Sequence, residues 1–318
     1  MSLTIGIDIG GTKLSGGVVD EEGTLLASSR RESPARDPRA IVEAVKQLVA
    51  ELRASDDVDG DAVEAVGLAA AGYVDADRSM VIYAPNLAWR NEPLRDLVSA
   101  ATGLRVVVEN DANAAAWAEY VHGAGQGART LLMATIGTGI GGGIVHDGAL
   151  LRGGNGGAAE IGHIRLVEAG RLCPCGLRGC WEAYGSGTAL TLEARQRAAV
   201  QPEKARMLLE LAGGDAQAIS GPMVSAAAQR GDPVAIEAFD VIERRIGEGV
   251  ASLSAVLDPD VVVIGGGVSE SHDLSLEQIK HSFTSHVSGG VYRPAPDIRR
   301  GTLGNSAGMI GVAALARL

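Results

Sequence analysis

The sequence predicts an α/β fold built as two related halves, and two observations carry that prediction. Short apolar runs of strand length (residues 3–10, 62–72, 104–110, 130–137 and 261–269) alternate with segments whose apolar residues recur at helical spacing. A second pattern occurs twice: an apolar strand, a glycine turn, a return strand and then a third strand. It runs through Asp8-Ile9-Gly10-Gly11-Thr12-Lys13 near the start and through Gly137-Thr138-Gly139-Ile140 further on. The separation is of domain size, too long for a solenoid period, and reads as a weak internal duplication.

Length and composition agree with this. A chain of 318 residues has room for two domains, each with its own core. The apolar fraction of 46% and charged fraction of 21% are those of a soluble globular protein. Aromatics make up only 3%, so the core is built from Ala, Val, Leu and Ile, and a ligand site cannot rely on many stacking rings. The 44 glycines fall largely in short clusters, as expected where backbone approaches a ligand closely. A formal charge of −11 argues against nucleic acid as a broad partner, since such binding neutralises phosphates with Lys and Arg. No basic-then-apolar leader opens the chain and no apolar run has membrane-spanning length, so no membrane partner is expected.

In order, residues 3–10 read as a buried strand, 15–20 as its return and 24–30 as a third strand. No helix follows Gly10 and Gly11, so this is not a dinucleotide fingerprint, nor is it a GxxxxGK[ST] loop. What remains is a hairpin turn, plain or phosphate-facing, in which Thr12 adds a hydroxyl and Lys13 a cation. Residues 40–53 have helical apolar spacing, 56–61 form an acidic loop, and 84–87 form a turn that sets Asn86 near Trp89. A short helix at 94–101 leads to the strand at 104–110. That strand ends in Glu109-Asn110-Asp111 just before an alanine-rich helix. Ligands of open α/β sheets sit at such strand ends. Helix capping accounts for one of these polar residues but not for three.

Helices are expected at 187–199, 203–211, 222–229, 233–257, 274–286 and 307–318. The third glycine turn, at Gly265-Gly266-Gly267, suits either close approach of an adenosine or phosphate, or a simple strand–helix connection.

Between the second hairpin and these helices lies EIGHIRLVEAGRLCPCGLRGCWE, residues 160–182, which holds all three cysteines of the chain. His163 followed by Cys173, Cys175 and Cys180 reads as a tetrahedral zinc site of one imidazole and three thiolates. The alternative is three buried thiols and a satisfied core histidine. An odd number of cysteines in one cluster also fits a reducing compartment, so a cytoplasmic location is expected.

Together these residues closely resemble the ROK family of sugar kinases: DIGGTK at 8–13, END at 109–111, GTGIGGG at 137–143, EIGH at 160–163 and CPCGLRGCWE at 173–182. The resemblance covers essentially the whole chain, and the overall pattern is most similar to the bacterial glucokinases of that family. The stretches 72–75 and 84–87 look like its glucose-contacting loops. One departure is Ala159, where the family pattern has Gly; the change adds a methyl group.

The resemblance implies two actin-like, ribonuclease-H-like lobes around a central cleft, with the zinc-binding loop in the second. Residues 1–111, joined by a final helix at 306–318, would form one lobe and 112–305 the other. It implies ATP-dependent phosphorylation of D-glucose at the 6-hydroxyl, with Asp111 as general base. Gly72, Asn86, Asn110, Asp111, Glu160, His163 and Glu182 match sugar-binding positions. Asp8, Gly11, Thr12, Lys13, Thr138, Gly139, Gly266 and Gly267 match nucleotide and phosphate positions, with Mg²⁺ on the ATP and Zn²⁺ structural. A homodimer or homotetramer is the family expectation. The alternatives are a polyphosphate-dependent glucokinase, another hexose or N-acetylhexosamine kinase, and, outside enzymes, a sugar-sensing regulator. A family repressor is expected to carry an N-terminal winged helix, whereas here the first strand starts at Leu3.

Overall fold

The structure is a computed structural model and describes residues 2–35, 37–84, 87, 89–270 and 274–318. Two compact units are present: residues 1–132, 143–159 and 305–318 form the first, and residues 133–142 and 160–304 the second. The expected lobe boundary after Asp111 falls at the start of a helix that lies inside the first unit.

The chain opens with β1 (Leu3–Ile9), β2 (Lys13–Val19) and β3 (Leu25–Glu32), paired antiparallel in sequence. Helix α1 (Pro38–Arg53) is started by Asp37, whose carboxylate accepts the Arg39 N–H at 3.0 Å, and by Pro38 in the first turn. It buries Ile41, Val45, Leu48, Val49 and Leu52, the spacing read from the sequence.

Strand β4 (Val63–Ala70) then pairs parallel with β1. The stretch after it, expected as loop, instead forms a small sheet of β5 (Tyr73–Val74), β6 (Val81–Ala84) and β7 (Trp89–Glu92). Asp75 makes this possible, because its carboxylate accepts the Ser79 and Met80 N–H groups at 2.7 and 2.9 Å and closes the turn between β5 and β6. After α2 (Leu94–Thr102), β8 (Arg105–Asn110) pairs parallel with β4, giving the sheet order β3-β2-β1-β4-β8.

Register decides where function can sit in this unit. Ile9 is opposite Ala70, and Ala70 is opposite Asn110. The turns that follow β1, β4 and β8 therefore leave one carboxyl edge, and they carry Gly10–Thr12, Gly72 and Asp111. Helix α3 (Asp111–His122) starts directly from that edge.

The second sheet consists of β9 (Thr130–Ile136), β10 (Ile140–His146), β11 (Ala149–Leu150), β12 (Val261–Gly265) and β13 (Asp297–Arg300). Its order is β11-β10-β9-β12-β13, the same as that of the first sheet strand for strand, which is the structural form of the duplicated hairpin. Between β11 and β12 run α4 (Glu182–Gly185), α5 (Gly187–Val200), α6 (Arg206–Leu211), α7 (Gly221–Gln229) and α8 (Pro233–Leu257). After β12 come α9 (Gly267–Glu270) and α10 (Leu276–His286).

The last helix, α11 (Ala307–Arg317), packs on β1, β4 and α3. A Cβ at Gly6 or Gly67 would overlap the carbonyl oxygens of Met309 and Val312, so those two strand glycines let the helix lie against the sheet. No helix among the described residues is long and apolar enough to cross a membrane.

Candidate active site

At the carboxyl edge of the first sheet, Asn110 is the N-cap of α3. Its Oδ1 accepts the Ala112 and Asn113 N–H groups at 2.9 and 3.0 Å. Its Nδ2 donates to the Gly72 carbonyl at 3.1 Å, bringing together two of the residues expected to meet sugar. Asp111 follows as the first residue of α3, with Oδ1 3.0 Å from the Ala112 nitrogen. Glu109 is fully buried and forms ion pairs with Arg78 at 2.9 Å and Arg152 at 2.8 Å. The sequence reading missed both arginines. Asn86, also expected here, lies outside the described residues.

The turn after β1 is closed by the Gly10 N–H donating to the Lys13 carbonyl at 3.0 Å, and it leaves Gly11, Thr12 and Lys13 exposed. Burial pushes the Asp8 carboxyl up from the usual range, and the Lys13 charge partly opposes this.

In the second unit, the glycine turn after β9 is tied to the start of α5. The Gly187 N–H donates to the Gly137 carbonyl at 2.8 Å and the Thr188 hydroxyl to the Thr138 carbonyl at 2.7 Å. Beside this turn is a cavity of about 620 Å³. Thr138 and Gly267 line it, together with Gly187, Thr188 and Thr191 of α5, Gly221, Ser225 and Gln229 of α7, and Val268.

Of the other expected nucleotide and phosphate residues, two belong to this unit, Gly139 and Gly266, and neither is on the cavity wall. Gly266 has φ of 86°, and a Cβ there would lie 2.6 Å from the Ile136 nitrogen, so this glycine serves the packing of the turn on β9. Gly139 instead faces Glu182. The α5 and α7 walls were missed by the sequence reading. Their only sequence signal is a pair of small-residue helix starts, Ser186-Gly187-Thr188 and Ser220-Gly221-Pro222.

The second unit also carries the cysteine cluster. The ligand atoms of His163, Cys173, Cys175 and Cys180 all lie within 4.8 Å of one another. Cys175 Sγ is 3.6 Å from Cys180 Sγ, and Cys173 Sγ is 3.7 Å from His163 Nδ1. A tetrahedral zinc with bonds of about 2.3 Å to sulfur and about 2.0 Å to nitrogen has ligand–ligand edges of about 3.5–3.8 Å. The residues fit the ion. Three sulfurs and one nitrogen leave no open position, so it would be structural.

The fold of the knuckle follows from its hydrogen bonds and one glycine. The Cys173 N–H donates to the Leu177 carbonyl at 2.8 Å, and the Leu166 N–H donates to the Gly179 carbonyl at 2.8 Å. Gly179 has φ of 81°, and a Cβ there would overlap the Val167 carbonyl.

The expected sugar residues of this unit surround the knuckle. His163 turns Nδ1 toward the sulfurs, while Nε2 lies 4.0 Å from a Glu160 oxygen. Glu182 begins α4; one of its oxygens is 3.0 Å from Cys173 Sγ and the other accepts the Ile140 N–H at 3.2 Å. Burial pushes the Glu160 carboxyl up; the nearby His163 opposes this and the Glu182 carboxylate adds to it. Burial, then the hydrogen bond to Glu182, push the Cys173 thiol up, and ligation by a metal would remove that proton.

Known proteins resemble this chain along its whole length. The family model described as "ROK family" matches residues 4–318. The glucokinase of Streptomyces coelicolor is 49% identical over 317 residues, covering 100% of this chain and 98% of that protein. The crystal structure of a ROK family glucokinase from Streptomyces griseus in complex with glucose and AMPPNP superposes with a TM-score of 0.89 at 49% identity, covering 99% of each chain. An inorganic polyphosphate/ATP-glucomannokinase from an Arthrobacter strain is also similar, with a TM-score of 0.65, 26% identity, and 100% of this chain and 99% of that chain covered.

Proposed function

The chain belongs to the ROK family, and from that premise we propose that it is a glucokinase, transferring the γ-phosphoryl group of ATP to the 6-hydroxyl of D-glucose. One observation carries the reading: 49% identity, over 99% of both chains, to a protein whose crystal structure holds glucose and the ATP analogue AMPPNP.

In this reading Asp111 accepts the proton of the 6-hydroxyl as its oxygen bonds to phosphorus and the bond to the ADP oxygen breaks. Asn110 and the Gly72 loop hold the sugar, as does Asn86. Glu160 and Glu182 accept hydrogen bonds from vicinal hydroxyls, and His163 donates from Nε2 while Nδ1 is given to zinc. A site made of such groups rejects a sugar lacking a hydroxyl, because the buried partner is then left unpaired. Zinc, held by His163, Cys173, Cys175 and Cys180, supplies rigidity to these contacts.

The adenosine takes the cavity beside Thr138 and Gly267. Gly139 and Gly266 shape the turns around it, and Gly11, Thr12 and Lys13 meet the phosphates. Asp8 is the carboxylate this reading gives to the Mg²⁺ of the nucleotide, which supplies charge neutralisation during transfer. Homo-oligomer assembly and a cytoplasmic location belong to the same reading. They rest on the family resemblance and on a thiol cluster suited to a reducing compartment.

Similarity to the Arthrobacter protein keeps polyphosphate in view as donor. Two features favour ATP: the cavity has the size of a nucleoside site, and no charged side chain lines it among the described residues. A coupled assay of glucose 6-phosphate formation, run with ATP and with polyphosphate over glucose, mannose and N-acetylated hexosamines, tests the reading. Highest kcat/KM is expected for ATP with glucose. Turnover of another sugar or donor at higher kcat/KM, with glucose and ATP poorly used, would replace it.

A further inference from the structure

The proposed chemistry leaves unused a buried ion cluster directly behind Asn110 and Asp111. Glu109 is completely inaccessible, yet each of its oxygens is satisfied. One oxygen accepts from Arg78 Nε at 2.9 Å and is ion-paired with Arg152, whose Nε lies 2.8 Å away without hydrogen-bond geometry. The other takes the Asn110 N–H at 2.9 Å and the Asn113 amide at 3.3 Å.

Arg152 does more than neutralise. Its two remaining nitrogens donate to the Asp75 carbonyl at 2.8 Å and the Ala76 carbonyl at 2.6 Å. Arg78 reaches the same place from the other side: it stands at φ of 54°, and its carbonyl accepts the Val108 N–H at 3.1 Å. A non-glycine residue in that region persists only where surrounding contacts over-determine it. The turn that follows Gly72 is thus fastened to the end of β8 at several points. The reward is one contact at the sugar side, Asn110 Nδ2 on the Gly72 carbonyl at 3.1 Å.

A buried ion pair contributes little net stability compared with apolar packing of the same volume, and the best-attested reason to keep one is fixed geometry. We propose that the Glu109–Arg152 pair, with Arg78, is a positioning device for the hexose: it fixes the Gly72 turn against Asn110 and so sets affinity for the acceptor sugar. The inference rests on the glucokinase reading. The contact these residues set joins Asn110 to the Gly72 turn, both on the sugar side of the glucokinase reading, and none of them lines the nucleotide cavity, so the expected effect is on the sugar. A misplacement of about 1 Å in such a contact costs up to about a hundredfold.

The test is Arg152→Lys, which keeps the charge beside Glu109 but cannot reach two carbonyls at once. A folded variant is expected, with KM for glucose raised about tenfold or more and KM for ATP within about twofold of the parent. The double variant Glu109→Gln/Arg152→Met, which removes both charges together, should show the same split. Arg152→Ala should lose more, and the parent arginine should be the only side chain at 152 that restores glucose KM. Folded variants with unchanged glucose KM, or with both KM values moved in parallel, overturn the proposal, as does failure of both variants to fold, which would make the pair a folding requirement alone. Parent protein assayed alongside separates the two claims: no glucose phosphorylation by the parent refutes the glucokinase reading itself.

Discussion

Gly139 and Glu182 are packed so closely that a Cβ on Gly139 would overlap Glu182 Oε2. The same oxygen accepts the Ile140 N–H at 3.2 Å, and Glu182 Oε1 lies 3.0 Å from Cys173 Sγ. One carboxylate therefore joins the glycine turn after β9 to the cysteine knuckle. Gly139→Ala must displace it. We expect a rise of about tenfold in KM for glucose and a loss of about 1–3 kcal/mol in unfolding free energy, read by steady-state kinetics and denaturant unfolding. Wild-type KM in the variant would show that the position of Glu182 does not matter to the sugar.

The knuckle makes its own prediction. Purified protein should contain one zinc per chain by elemental analysis. Chelation, or Cys175→Ala, should remove the ion and weaken glucose binding measured by calorimetry by about 10–100-fold, the usual effect of disturbing the groups that orient metal-bound residues. Full glucose affinity in metal-free protein would disconnect the knuckle from recognition.

Ala159 stands at φ of 68°, in the left-handed region. That geometry explains why the resembling family has glycine at this position. The strain for an alanine is about 1–2 kcal/mol, and glycine returns about 0.4–1 kcal/mol through its looser unfolded chain. Ala159→Gly should therefore raise stability by about 0.5–1 kcal/mol, seen as a small upward shift in Tm at unchanged kcat. A fall in Tm would contradict the assignment of strain.

Much of this was legible in the sequence where the signal is local. The strand–turn–strand hairpins, the apolar face of α1 and the His and Cys donors within residues 163–180 each depend on neighbours in the chain. What stayed hidden depends on distant pairing. Glu109 meets Arg78 across 31 positions, and Arg152 meets the Ala76 carbonyl across 76, and no periodicity announces either. The cavity walls at Thr191 and Ser225 come from two helices whose apposition no single segment encodes. Gly266 and Gly139 were legible as special glycines, but their packing partners, a strand backbone for one and a carboxylate for the other, were not.

Glu243 supplies a pH dependence. It lies on α8, 2% exposed, and accepts the Ser275 N–H at 2.7 Å. Burial raises its carboxyl to about 7, with the nearby Asp240 raising it further and Arg300 opposing. The native state then holds a proton that the unfolded chain releases near 4.5, so this group's contribution is present in full below about pH 4.5. It is lost as pH rises toward 7, by at most about 3 kcal/mol. Glu243→Gln should flatten the unfolding free energy between pH 5 and 7 relative to the parent. A parallel pH profile in the two proteins would remove Glu243 as the cause.

The central claim is that Asp111, at the start of α3, takes the proton of the sugar hydroxyl while other residues hold the sugar. Asp111→Asn keeps the size of the side chain and its place in the helix but removes the base. Its kcat with glucose and ATP, measured beside its glucose affinity by calorimetry, is the most direct test. The account predicts a fall in kcat of about 10²–10⁴ with glucose Kd within about threefold of the parent; near-normal turnover in a folded Asp111→Asn protein would contradict it.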